Sequence, residues 1–98
     1  MRVDVTLPRL VGTRQSADEL FGAAVAGKSN VQTIVLRARA VLNAAPSFVD
    51  EIVKLAGEKR VAEIHLVGES RELHAQFTEA ASRRGGAVKV TSASAALV

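Results

Sequence analysis

The chain has 98 residues, 48% of them hydrophobic, no cysteine, tryptophan or tyrosine, and a formal net charge of +3. That length supports one core and one domain, and the missing thiols exclude a disulfide framework, a zinc-thiolate site and a cysteine nucleophile. No stretch has the apolar length that an export signal or a membrane span requires, so a cytoplasmic protein that does not enter membranes is expected.

Residues 2–7, RVDVTL, alternate polar and apolar with Val3, Val5 and Leu7 on one face, and Pro8 stops pairing, which predicts a sheet-edge strand. Ser16 and Glu19 stand at capping-box spacing, predicting a helix over 17–26 that buries Leu20, Phe21, Ala24 and Val25 and ends at Gly27. Residues 31–38 hold Val31, Ile34, Val35 and Leu36 in a nearly continuous apolar run. That pattern fits a central strand covered on both faces. The chain breaks at 43–46 and restarts from Ser47 as a helix whose Phe48, Val49, Ile52, Val53, Leu55 and Ala56 form a broad apolar stripe, ending at Gly57.

Residues 62–67, AEIHLV, read as another strand, and 70–84 as a helix burying Leu73, Phe77, Ala80 and Ala81, with Arg83 and Arg84 in its last turn. Gly85 and Gly86 stop it before a final strand over 87–91, and the small-residue tail 92–98 is expected to be disordered. The predicted fold class is α/β, one small sheet of about four strands with about three helices joined by right-handed crossovers. In such sheets ligands and partners gather at the carboxyl ends of strands, here 37–47 and 68–70.

Ser47 has two readings. Its hydroxyl can cap the helix, with Asp50 reaching back, or it can be a phosphoacceptor where backbone amides accommodate a phosphate. Arg37 and Arg39 at the end of the central strand are either solvated or, with the Ser47 helix start, a patch for an acidic partner. His65 and His74 lack metal-ligand spacing, His65 reading as structural and His74 as lying on a solvated helix face. Asp18 with Glu19, and Asp50 with Glu51, read as helix first-turn acids. No nucleophile elbow and no phosphate loop is present, so no enzyme and no cofactor is expected. Nucleic acid is a disfavoured partner, because single-strand binders use aromatic platforms and only three phenylalanines are available.

The stretch IVLRARAVLNAAPSFVDEIVKL resembles the strand-loop-helix of STAS domains, the fold of bacterial anti-sigma-factor antagonists, and is most similar to the STAS-like branch whose helix opens with Ser-Phe and an acidic pair, here Ser47, Phe48, Asp50 and Glu51. The resemblance implies a non-catalytic regulatory module that binds a protein, in known members an anti-sigma factor of the histidine-kinase ATPase type that phosphorylates a serine at the helix start. Laid on the family's Asp-Ser-Ser-Gly signature, this chain has Ala45, Pro46, Ser47 and Phe48. The phosphorylated position falls on Pro46, so the resemblance implies a constitutive module without that switch, with Ser47 as a second candidate phosphosite. Its contact surface would comprise Arg37, Arg39, Asn43, Pro46, Ser47, Asp50 and Glu51. Two other roles fit the residues: a small-ligand or nucleotide sensor using the helix start at Ser47, and a basic subunit associated with nucleic acid.

Overall fold

The computed structural model describes residues 1–93. Among them the order is β1 (Arg2–Thr6), β2 (Leu10–Val11), α1 (Arg14–Val25), β3 (Thr33–Arg37), β4 (Asn43–Ala44), α2 (Pro46–Glu58), β5 (Glu63–Val67), α3 (Arg71–Arg83) and β6 (Lys89–Ser92). The expected α/β class and the four-stranded sheet are present, with strand order β1-β3-β5-β6 and every neighbour parallel. Residues 94–98 of the tail expected to be disordered lie outside the described residues, whereas Ser92 belongs to β6.

Strand order rises with sequence, so each right-handed crossover places its helix on the same face of the sheet. The register puts Val3, Ile34, Ile64 and Val90 in one row beneath the helices and Val5, Leu36 and Leu66 in another. With Phe48, Ile52 and Phe77 from above, these rows make the core, and both phenylalanines are fully buried. Polar residues occupy the other face: Thr33, Glu63 and Lys89 in one row, Asp4, His65 and Thr91 in the next. Parallel sheets are ordinarily covered on both faces; this one is covered by helices on one.

Two-sided coverage of the central strand is therefore not what its apolar run signifies. Val35 is 1% exposed, but it stands on the open face between Asp4 and His65 of the flanking strands, outside the principal core cluster. An apolar run records burial and does not say whether helices or neighbouring polar side chains provide it.

A second, two-stranded parallel sheet pairs β2 with β4. The β1 ladder ends with Leu7 N donating to Arg37 O at 2.9 Å, and Pro8 follows it. Pairing then resumes: Leu42 N donates to Arg9 O at 2.9 Å and Ala45 N to Val11 O at 2.9 Å. This ladder sets the starts of α1 and α2 side by side at the carboxyl edge of the main sheet.

Helix α1 begins earlier than its sequence pattern predicts. Thr13 is the cap, accepting from Ser16 N at 3.0 Å, and the Ser16 hydroxyl closes the box on Thr13 N at 3.4 Å. Ser16 thus plays the part expected of Glu19. Helix α2 runs past Gly57 to Glu58, and the chain turns at Arg60, whose φ is 58°. In α3, Ser70 caps Leu73 N at 3.1 Å.

Candidate interaction surface

Ala45, not Ser47, is the N-cap of α2, and no side chain caps that end. Pro46 occupies the first helical turn, where its fixed φ suits the helix and its missing N–H leaves no donor unpaired. Ser47 therefore lies inside the helix, half-buried, in a shallow depression shared with Arg14, Pro46, Asp50 and Arg83. The expected capping role is corrected because proline takes the first helical position and moves the cap back by one residue from Pro46.

Asp50 does not reach back to Ser47 either. Its Oδ1 accepts from Arg84 Nε at 2.9 Å, and its Oδ2 accepts from Arg84 Nη2 at 2.7 Å and from Arg14 Nη1 at 2.9 Å. One carboxylate thereby joins the start of α1 and the end of α3 to α2. The Arg84 guanidinium, helped by Arg14, holds the Asp50 carboxyl well below the usual carboxylate range, against the opposing effect of burial.

Glu51 is buried as a whole residue, at 5% exposure. It accepts from Arg14 Nη1 at 3.2 Å, and Lys54 Nζ stands 3.9 Å away. The neighbouring Asp18 carboxyl interacts with Glu51, which raises the Asp18 pKa and lowers that of Glu51. Asp50 and Glu51 lie beyond the first turn of α2, where they tie helices together and do not serve the helix dipole as first-turn acids.

Arg37 is engaged away from the Ser47 helix start. Arg37 Nη2 meets Asp4 Oδ2 at 3.1 Å on the open face of the sheet, opposite the helices, with both side chains about half exposed. Arg39 is exposed where the chain leaves β3, and its backbone crosses close to Gly68. Of the predicted contact residues, Asn43 and Pro46 stand exposed at the carboxyl edge.

Two residues that sequence reasoning passed over complete that edge. Leu10 and Leu42 are 68% and 64% exposed, and Leu10 pairs in register with Asn43. Arg9, whose carbonyl accepts from Leu42 N, is exposed beside them. Leu10 lies between Pro8 and Gly12 and Leu42 just before the break at 43–46, so both read as loop until the β2–β4 ladder shows them held in place and uncovered among the described residues.

The chain shows no significant match to any protein-family model, curated protein or solved structure.

Both histidines have partners. His65 Nδ1 lies 2.7 Å from Thr91 Oγ1, and the Thr91 hydroxyl donates to Glu63, which lowers the Glu63 pKa. Because Thr91 gives its proton to Glu63, the imidazole Nδ1 is the donor to Thr91. His74 does not lie free on a solvated face: its Nδ1 is 3.2 Å from Oε2 of Glu69, a side chain only 2% exposed that also accepts from Ser92. Glu69 Oε1 has no hydrogen-bond partner among the described residues. Those residues contain no cluster of three or more histidine or acidic side chains able to hold a metal, and no helix long and apolar enough to cross a membrane.

Proposed function

We propose that this chain is a non-catalytic, cytoplasmic protein-interaction module of the STAS-like kind, docking a protein through the carboxyl edge of its sheet. The observation that carries the reading is the pair of exposed leucines, Leu10 and Leu42, held on a short ladder beside Asn43 and Pro46. An apolar anchor on a rigid edge with arginine at its rim has the composition of a protein-binding hot spot. The resemblance of residues 34–55 to anti-sigma-factor antagonists supplies the partner class, a histidine-kinase-type ATPase. Pro46 at the family's modified position makes the contact constitutive. Phosphorylation of Ser47 would set a phosphate beside Asp50, whose carboxylate already engages Arg14 and Arg84. The same engagement removes two cations from any anion-sensing role at that helix start.

The test is affinity purification with the wild-type chain, Leu42→Asp and Leu10→Asp, each shown by circular dichroism to be folded. Capture of an ATPase by the wild type and its loss with either variant supports the reading. Capture that survives both substitutions places the contact elsewhere and defeats it.

A further inference from the structure

Strand β1 forms one margin of the main sheet, and its ladder with β3 uses only part of its backbone. Met1 O accepts from Thr33 N at 3.4 Å and Leu7 N donates to Arg37 O at 2.9 Å, so the odd-numbered residues of β1 turn their N–H and C=O groups toward β3. Those of Arg2, Asp4 and Thr6 point outward, and none of them is paired among the described residues. The side chains at the same three positions are exposed on the open face of the sheet. There Asp4 Oδ2 meets Arg37, whereas Asp4 Oδ1 has no partner and Arg2 makes no ion pair among the described residues. Met1, in alternation with the buried Val3 and Val5, is 59% exposed.

From this free margin we infer that β1 pairs antiparallel with β1 of a second copy, in the register that sets Arg2 of each copy opposite Asp4 of the other and Val3 opposite Val3. The two four-stranded sheets then join into one. Arg2 and Asp4 both carry outward backbone groups, so each Arg2–Asp4 pair exchanges N–H and C=O across the seam. A two-fold axis perpendicular to the sheet at Val3 repeats the pair and keeps the helices of both copies on one face. The Arg2 guanidinium meets the carboxylate whose Oδ1 is unused, while Arg37 holds its Oδ2. Met1 comes opposite Val5 of the other copy, which covers an apolar side chain that a single copy leaves exposed. The next register, centred on Asp4, sets Asp4 against Asp4, and like charges directly opposite are destabilising. A one-residue slip would match outward groups with inward ones and would turn the apolar side chains to the wrong face.

The experiment is sedimentation velocity on the full chain over a wide concentration range, joined to amide hydrogen exchange read by NMR. The wild type is expected to form a two-copy species. In it the Arg2 and Asp4 amides should exchange about tenfold or more slowly than in the dilute single copy, while the Thr6 amide, beyond the paired residues, stays fast. Arg2→Asp and Asp4→Arg, each shown by circular dichroism to be folded, should weaken self-association by about tenfold or more, because each replaces opposed charges with like ones. Their equimolar mixture should restore it, since one chain then carries aspartate at both positions and the other arginine at both. A wild type that sediments as one copy throughout overturns the inference. So does a two-copy species whose Arg2 and Asp4 amides exchange as fast as that of Thr6, a reversal that associates as the wild type does, or a mixture that fails to recover.

Discussion

Asp50 concentrates more of the tertiary wiring than any other residue that sequence reasoning chose for function. Its folded pKa is depressed by Arg84 and Arg14, so its contribution is fully present above the unfolded carboxylate value, about 4, and is lost as pH falls toward the folded value. Asp50→Asn should lower stability by about 1–2 kcal/mol at neutral pH, a figure reduced because both guanidiniums are more than a third exposed. The variant should also show a shallower fall in melting temperature below about pH 4 than the wild type. Equal acid slopes would remove Asp50 from the acid response.

Gly68 makes a second residue-scale case. Its φ is 74°, and a Cβ there would stand 3.1 Å from Arg39 Cβ and 3.3 Å from Arg39 Cα. Strain and crowding against backbone act together, so Gly68→Ala should cost about 1–3 kcal/mol in denaturant unfolding. A change within error would show that the β3 and β5 ends can separate freely.

For the elements, the informative contrast is between the starts of α1 and α2. Thr13→Ala removes a side-chain cap and should cost about 1 kcal/mol, whereas Ser47→Ala should stay within about 0.5 kcal/mol because the Ser47 hydroxyl caps nothing. Chemical denaturation of the two variants gives the comparison, and an equal loss would restore Ser47 as the cap. The apolar faces of α2 and α3 were legible in full, since Phe48, Ile52, Leu73 and Phe77 recur at helical period and bury as that period requires. The helix starts were less legible, because many serines, threonines and acids fit a cap by type and only the backbone decides which hydroxyl meets which amide. The β2–β4 ladder was not legible at all. Its strands are two residues each, too short for any period, and pair only because β1 and β3 bring them together.

On the scale of the whole molecule, the succession of strands and helices could be read from alternation of period, and one-sidedness could not. It rests on the order β1-β3-β5-β6, which no local pattern encodes. The two faces should respond differently to the same polar change in β3. Ile34→Thr, beneath the helices, should cost about 2–4 kcal/mol, and Val35→Thr, among polar neighbours, about 1 kcal/mol or less. Equal losses by thermal unfolding would mean that both faces are closed.

An order that climbs steadily along the chain also bears on how the sheet is made. Each strand emerging from the ribosome finds its partner already synthesised, and no gap need be held open for a later strand. The β1-α1-β3 unit can dock before β5 exists, and every later unit adds to a finished edge. Growth of this kind keeps the connecting loops short and their closure entropy small. It leaves β6 as the growing margin of the described sheet, the last of its strands to attach and the one whose detachment would be the first step in taking it apart from that side.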